Sequence, residues 1–122
     1  MKKLIIIDDS ANLRKDLKKL LEPVRNIQIV GEAADNSEAV DLCEKVNPDI
    51  AILDINLKNS NGIELISQIK KMSPLLIVIM FTNYSNSAFR KSSIKRGADY
   101  FFDKTNEAEK LVTALMGISS LK

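Results

Sequence analysis

Residues 3–9 read KLIIIDD, and this stretch decides which fold the chain is expected to have. Its apolar run from Leu4 to Ile7 is typical of a buried strand, and it ends directly in two carboxylates, Asp8 and Asp9. Neighbouring like charges repel, and a buried carboxylate costs free energy unless a cation or hydrogen bonds compensate it. The stretch therefore predicts a buried strand that ends in an acidic site, where positive charge must balance the carboxylates.

Four more apolar runs follow along the chain, and helix-length segments separate them. The runs are IQIVGEA (27–33), IAILDI (50–55), LLIVIMF (75–81) and YFF (100–102). Alternating strands and helices predict an α/β fold, a doubly wound five-stranded parallel sheet with five flanking helices. The runs at 50–55 and 75–81 are almost continuously apolar, as expected of central strands, whereas Gln28 and Glu32 favour an edge position for the second run.

The helical segments differ in how strongly they are patterned. In four of them apolar residues recur three and four positions apart, which is typical of a helix with one buried face. The first segment has this pattern at Leu13, Leu17, Leu20 and Leu21. The fourth segment, 85–96, is weakly amphipathic, and only Ala88, Phe89 and Ile94 are available to anchor it. We therefore expect a loosely held fourth helix.

Composition excludes several functional classes. The chain has 122 residues, the size of one domain, and its 18 basic and 16 acidic side chains are too balanced to indicate nucleic-acid binding. It has no histidine, so acid–base and metal chemistry must use carboxylates, hydroxyls and lysine. Cys43 is the single cysteine, which excludes an intrachain disulfide and favours a reducing, cytoplasmic setting. No apolar run is long enough to cross a membrane.

Polar side chains stand where four of the predicted strands end. In chain order, at the first, third, fourth and fifth runs, they are Asp8 with Asp9, Asp54, Thr82 and Lys104. In a parallel sheet all carboxyl ends lie along one edge, which is where open α/β sheets bind their ligands. The fold therefore predicts that three carboxylates, a hydroxyl and an ammonium group meet in one crevice.

A divalent cation is the natural partner of three clustered carboxylates, because they repel one another without one. Mg²⁺ prefers a few carboxylates together with water and phosphate oxygens. The same groups suit an aspartyl-phosphate centre, in which a carboxylate is the nucleophile and a metal neutralises the transferring phosphoryl group. In such a centre lysine and a hydroxyl hold the phosphoryl oxygens.

Five segments taken together resemble one family. They are IIIDD (5–9), AILDINL (51–57), NG (61–62), VIMFT (78–82) and GADYFFDK (97–104). With these spacings the chain resembles a two-component response-regulator receiver domain, chemotaxis-regulator-like and single-domain, over essentially its whole length. The resemblance implies a flavodoxin-like sheet with strand order 2-1-3-4-5. It also implies one receiver domain over residues 1–122, with no output domain in this chain.

The resemblance implies roles for the acidic residues. Asp54 would accept a phosphoryl group from a phosphohistidine on a histidine kinase or histidine phosphotransfer protein. The Mg²⁺ ligands would be Asp9 directly, Asp8 often through water, Asp54 itself and the backbone carbonyl of Asn56. Such a domain is a phosphoacceptor with at most self-dephosphorylation, not an enzyme.

Thr82, Lys104 and Phe101 complete the implied machinery. Lys104 would pair with the phosphoryl group, and Thr82 would donate a hydrogen bond to it. Phe101 stands four residues after Gly97, where the family has its switch aromatic, and it would turn from exposed to buried upon phosphorylation. The surface of the fourth helix, fifth strand and fifth helix would then change for an unidentified downstream protein. The domain would be a monomer or weak dimer that contacts neither membrane nor nucleic acid directly.

Three positions depart from the family pattern. Thr105 follows Lys104 where a cis proline is common, so a trans bond and a more mobile loop are expected. Asn83 follows Thr82 where a small residue is usual, and Lys58 stands where proline is frequent.

Two other functions stay open on the residues alone. A metal-dependent aspartyl-phosphate phosphatase would use the same nucleophile, but such enzymes typically carry a second aspartate two residues later, where this chain has Asn56. The other is a phosphorylation-independent docking module. The intact set of three acids, one hydroxyl and one lysine argues against this module.

Overall fold

The computed structural model describes residues 1–120, which form seven strands and five helices. In chain order these are β1 (Lys2–Ile7), α1 (Ala11–Leu21), β2 (Ile27–Ala33), α2 (Asn36–Val46), β3 (Ile50–Leu53), β4 (Asn56–Leu57), β5 (Ser60–Asn61), α3 (Gly62–Met72), β6 (Ile77–Thr82), α4 (Ser87–Lys95), β7 (Tyr100–Asp103) and α5 (Ala108–Ser119). Within the described range no helix has both the length and the apolar composition that a membrane span requires.

Five of the strands form one parallel sheet in the order β2-β1-β3-β6-β7. Counted along the chain without the two short strands, this order is 2-1-3-4-5, which confirms the predicted fold class. β2 lies at an edge, and β3 and β6 are central, as the apolar runs indicated. The sequence did not predict β4 and β5, which pair as a short antiparallel hairpin between β3 and α3.

The side chains of each strand alternate between two helical layers. In β1, Ile5 and Ile7 pack on one side of the sheet with residues of α2 and α3. Leu4 and Ile6 pack on the other side with residues of α1 and α5. Because both faces are covered, the strands are apolar along most of their length, and the polar groups gather at the strand ends.

Side-chain caps begin four of the five helices. Each cap accepts a hydrogen bond from a backbone N–H in the first turn of its helix. The caps are Ser10, Asp35, Asn61 and Asn86. Ser10 begins α1 directly after Asp8 and Asp9, so the two acids lie at the amino end of a helix, where the helix dipole favours negative charge.

The fourth helix is held by one narrow face. Phe89 packs partly buried against the core, and Ser93, four residues later on the same face, is fully buried. Ile94 lies about 100° further round the helix and is 48% exposed. Ala88 is also exposed. Of the three residues available to anchor α4, only Phe89 packs against the core, so the helix has even fewer buried contacts than its sequence indicated.

Gly62 begins α3 where the helix passes close to the strand end that carries Asp54. A Cβ atom at position 62 would lie 2.0 Å from the backbone carbonyl oxygen of Asp54. The Gly62 N–H also donates a hydrogen bond to the carbonyl of Ile55, at 2.7 Å. Glycine is needed here for close approach, because a larger residue would push α3 away from the Asp54 loop.

We expect Gly62→Ala to lower the free energy of unfolding by about 2 kcal/mol. The new methyl group would clash with backbone atoms, which cannot relieve the clash by a side-chain rotation. Gly117→Ala is the matched control, since a Cβ at position 117 has no atom within 4 Å. Alanine is favoured over glycine in a helix interior by about 1 kcal/mol. Urea unfolding followed by circular dichroism should move the two midpoints in opposite directions. A Gly62→Ala midpoint equal to that of the wild type would contradict the close approach.

Candidate functional site

The carboxyl ends of β1, β3, β6 and β7 meet at one edge of the sheet, and the predicted polar residues meet there with them. Main-chain hydrogen bonds hold this arrangement. The Asp54 N–H donates to the carbonyl of Ile7, the last residue of β1, at 3.0 Å. The Lys104 N–H donates to the carbonyl of Thr82 at 3.1 Å. The convergence predicted from the strand order is therefore present in the structure.

Lys104 lies at the centre of the site. Its Nζ atom is 2.8 Å from Oδ2 of Asp8 and 2.7 Å from Oδ2 of Asp54. The lysine side chain is only 11% exposed. Buried charge pairs are screened little by solvent. The single ammonium group of Lys104 therefore holds the ends of β1 and β3 together.

Asp8 is buried, and its two carboxylate oxygens have different partners. Oδ1 accepts a hydrogen bond from the Ser10 N–H at 2.9 Å, and Oδ2 accepts one from Lys104. Burial raises the pKa of the Asp8 carboxyl above its ordinary value, and the Lys104 and Ser10 bonds offset this effect only in part. The charge of Asp54 raises that pKa further. Asp8 therefore carries negative charge that the protein itself does not fully compensate.

The third acid, Asp9, is exposed, unlike Asp8 and Asp54. Each of the three offers one carboxylate oxygen, and these oxygens lie within 4.8 Å of one another. Three oxygen donors, two buried and one open to solvent, suit a hard divalent cation that keeps some of its water. The acidic cluster of Asp8, Asp9 and Asp54 can therefore bind a metal, with Asp9 on the side that faces solvent.

Asn56 and Thr82 lie at the margin of the acidic cluster. The Asn56 N–H is 3.4 Å from Oδ1 of Asp54, and the Asn56 side chain is exposed. Thr82 is fully buried, and its hydroxyl oxygen accepts a hydrogen bond from the Tyr84 N–H at 3.2 Å. In this structure the Thr82 hydroxyl is thus bonded to the loop that follows β6 rather than to Asp54. The metal and phosphate contacts predicted for these two residues stay predictions.

Phe101 lies outside the acidic cluster. It pairs with Met80 across β6 and β7, and it is 4% exposed in the layer that also contains α3 and Phe89 of α4. Arg90 covers the ring from α4, with its guanidinium carbon 4.8 Å from the ring centroid. The predicted switch residue is therefore already buried here.

The two loops beside the site are joined by residues that depart from the family pattern. The Thr105 hydroxyl donates to Oδ1 of Asn83 at 3.2 Å. All peptide bonds in residues 1–120 are trans, including the bond after Lys104, as predicted. The Asn106 N–H donates to Oδ2 of Asp103 at 2.7 Å, which closes the turn after β7.

Three residues that shape the site were given no site role from the sequence. Ser10 holds Asp8, Gly62 lets α3 approach Asp54, and Arg90 covers Phe101. The Asn-Gly pair between a strand and a helix is a signal for Gly62. No local pattern could have paired Arg90 with a residue on another element.

Comparisons with known proteins agree with this geometry. The sequence model of the response regulator receiver domain matches residues 4–116. Chemotaxis protein CheY of Thermotoga maritima is 32% identical over 118 residues, which cover 97% of this chain and 98% of CheY. The nitrate/nitrite response regulator protein NarL of Escherichia coli is 32% identical over 114 residues, which cover 92% of this chain and 52% of NarL.

Solved structures give the same result. The response regulator domain of Thermotoga maritima CheB superposes with a TM-score of 0.87 and 26% identity, over 100% of this chain and 98% of that one. A LuxR-family two-component response regulator from an Aurantimonas species has a TM-score of 0.90 and 28% identity, over 98% of this chain and 86% of that one.

A five-stranded parallel sheet in this order, with acids and a lysine at its carboxyl edge, defines a flavodoxin-like receiver. The chain belongs to the response regulator receiver domain family of two-component systems. It spans about half the length of NarL and of the transcriptional regulatory protein LnrK of Bacillus subtilis, and nearly the whole of CheY.

The raised pKa of Asp8 predicts a pH-dependent effect on stability. Because the Asp8 carboxyl binds its proton more tightly in the folded state than in the unfolded state, protonation of Asp8 stabilises the fold. This contribution is complete below the ordinary pKa of aspartate and is lost as the pH rises through the raised pKa. At neutral pH the buried charge is therefore a cost, which a neutral asparagine avoids. We expect Asp8→Asn to raise the free energy of unfolding at neutral pH without divalent cations, and to raise it by less in acid.

Thermal unfolding in EDTA at a series of pH values measures this difference. Asp41→Asn, at an exposed position on α2, is the control and should show no such pH dependence. If Asp8→Asn is less stable than the wild type at neutral pH, the pairing with Lys104 outweighs the cost of burial, and the expectation is wrong.

Proposed function

We propose that Asp54 accepts a phosphoryl group from a phosphohistidine donor, a histidine kinase or a histidine phosphotransfer protein, in a reaction that requires Mg²⁺. One observation carries the proposal. Lys104 holds Asp54 and Asp8 at 2.7 and 2.8 Å, and Asp9 lies beside them, open to solvent. A buried carboxylate, a lysine paired with it and two further acids thus share one crevice at the edge where parallel α/β folds bind ligands, which supports the roles of nucleophile, fixed cation and metal ligands.

In the transfer step, a carboxylate oxygen of Asp54 would attack the phosphorus atom of the phosphohistidine. The bond that forms is the oxygen–phosphorus bond of an acyl phosphate. The bond that breaks is the phosphorus–nitrogen bond, whose electron pair stays on the donor imidazole, which takes up a proton. Positive charge is needed around the phosphoryl oxygens during this transfer. Mg²⁺, held by Asp8, Asp9, Asp54 and the backbone carbonyl of Asn56, would supply it.

Lys104 and Thr82 would hold the transferred group. Once Asp54 is phosphorylated, its negative charge lies further out, on the phosphoryl oxygens. Lys104 already bonds Asp54 and would follow that charge with a small movement. A hydroxyl both donates and accepts, so Thr82 could donate to a phosphoryl oxygen while it accepts from the Tyr84 N–H.

The signal would leave through the surface formed by α4, β7 and α5. β7 carries Phe101 and ends directly before Lys104. The neighbouring helix α4 has few buried contacts, so it could shift at small cost. Phosphorylation would then change the populations of two arrangements of this surface, and a downstream protein would bind one of them.

On this proposal the chain is one cytoplasmic receiver domain, a monomer or weak dimer. It would act as a phosphoacceptor with at most self-dephosphorylation, and it would contact protein partners rather than membrane or nucleic acid. The 18 basic and 16 acidic side chains of the chain are nearly balanced, which favours a protein partner over nucleic acid.

Labelling at Asp54 is the direct test. We expect incubation with acetyl phosphate and Mg²⁺ to add the mass of one phosphoryl group to the intact wild-type protein, because on this proposal the groups that receive the phosphoryl group belong to this chain and not to the donor. Asp54→Asn should gain none, and EDTA should prevent the gain in the wild type. Asp41→Asn, with an exposed acid changed elsewhere, should be labelled normally.

Two outcomes would contradict the assignment. Full labelling of Asp54→Asn would place the acceptor elsewhere. Steady hydrolysis of small phosphate esters over many turnovers would favour the metal-dependent phosphatase instead.

Mg²⁺ should also stabilise the fold, because an ion that binds only the folded state adds its binding free energy to folding. At ten times its dissociation constant the gain is about 1.4 kcal/mol. We expect thermal unfolding to shift upward with Mg²⁺ in the wild type and in Asp41→Asn, but not in Asp9→Asn. Without Mg²⁺, Asp9→Asn should be at least as stable as the wild type, because it removes a repulsion. A wild-type melting temperature that does not respond to Mg²⁺ would show that the acidic cluster does not bind the ion.

A further inference from the structure

Arg90 makes three contacts that the acidic site does not explain. Its guanidinium carbon lies 4.8 Å from the centroid of the Phe101 ring. Its Nη1 donates a hydrogen bond to the Phe101 carbonyl at 3.2 Å, and its Nη2 lies 3.6 Å from Oε1 of Glu107. One side chain on α4 therefore contacts the ring of a β7 residue, the backbone of the same residue and the turn before α5.

Glu107 extends this contact towards the acidic site. Its Oε1 also accepts a hydrogen bond from the Asp103 N–H at 2.9 Å, and its Oε2 accepts one from Lys110 at 2.9 Å. Asp103 is the last residue of β7 and directly precedes Lys104. The Arg90–Glu107 pair thus acts on the same short segment that carries the lysine of the site.

Each contact is weak when taken alone, because the Arg90 side chain is 46% exposed and an exposed ion pair contributes little. The three contacts share one planar guanidinium, however, so the conformational entropy of the side chain is lost only once. They also matter more because α4 has so little else to hold it: Ser93 is its one buried residue.

We propose that Arg90 is a positioning residue with two effects. It holds the Phe101 ring inward, and it keeps the end of β7, which directly precedes Lys104, in its place beside β6. Without Arg90 the ring is free to turn outward and the β7–α5 turn loosens. Lys104 is then correctly placed in only a fraction of the molecules. The apparent affinity for a phosphoryl group is then the intrinsic affinity multiplied by that fraction. This last consequence rests on the proposed function, whereas the position of the ring does not.

Three variants test the proposal in the chain of residues 1–122. Arg90→Ala removes all three contacts. Arg90→Lys keeps a cation over the ring and near Glu107 but lacks the planar fork that reaches the Phe101 carbonyl. Lys91→Ala is the control, because it removes an exposed positive charge from the next position of α4, outside these contacts. The melting temperature of each variant shows that it is folded.

The first measurement needs neither metal nor phosphate. NMR relaxation by a soluble gadolinium chelate reports the exposure of the Phe101 ring protons, and hydrogen exchange reports the amides of residues 100–104. We expect Arg90→Ala to increase both the relaxation and the exchange rates by about threefold or more, Arg90→Lys to lie between it and the wild type, and Lys91→Ala to match the wild type. A ring as protected in Arg90→Ala as in the wild type, or a Lys91→Ala protein that changes equally, would overturn the proposal.

The second measurement is the apparent affinity for beryllofluoride, a phosphoryl mimic, with Mg²⁺ present. We expect Arg90→Ala to bind it about three to ten times more weakly than the wild type, and Arg90→Lys to recover part of the loss. A released ring with unchanged affinity would overturn the link to Lys104. If the wild type fails to bind beryllofluoride, the proposed function fails, and the first measurement still decides the role of Arg90.

Discussion

The bridge from Lys104 to both Asp8 and Asp54 is the interaction on which the arrangement of the site depends. Removing charged groups from water is costly, and the cost is recovered only when opposite charges meet at short range. One ammonium group cannot do this for three acids. Lys104 pairs with both buried acids, Asp8 and Asp54, and burial still raises the pKa of Asp8, while Asp9 keeps its contact with solvent. A single divalent cation has the charge that would balance the remaining carboxylates of the cluster.

Much of this arrangement could be predicted from the sequence, because the signals involved are local. Apolar runs indicated each long strand, and the parallel topology then required Asp8, Asp54, Thr82 and Lys104 to share an edge. These inferences need only the spacing of the apolar residues along the sequence and the parallel direction of the strands. The α/β class and the membership of the acidic cluster can therefore be predicted from the residues alone, whereas the full strand order came from the family resemblance.

Other features could not be predicted, because they depend on distances between elements. The β4–β5 hairpin has two residues in each strand, too few for a periodic pattern. Ile94 was available to anchor α4, but the helix turns its Phe89 face to the sheet. The cover of Arg90 over Phe101 joins two elements through a guanidinium and a ring, and neither residue type indicates the other in a sequence.

The departures from the family pattern are related to each other in the structure. Asn83 and Thr105 were considered separately, as a bulky residue after Thr82 and a missing proline after Lys104. In space they are partners, since the Thr105 hydroxyl bonds the Asn83 side chain across the two loops. A side-chain bond thus restrains a turn that a proline ring would otherwise stiffen, and the expectation of a more mobile loop weakens.

The wide spacing of the charged groups along the chain has a consequence for biosynthesis. Lys104 is 96 residues from Asp8 and 50 from Asp54. A nascent polypeptide that has left the ribosome only as far as β6 carries the acids but lacks the cation that brings them together. Its centre cannot assemble until the last strand docks. Chains whose translation stops before Lys104 would therefore leave the buried acids without their ammonium partner, and only chains that extend past β7 would hold an assembled centre.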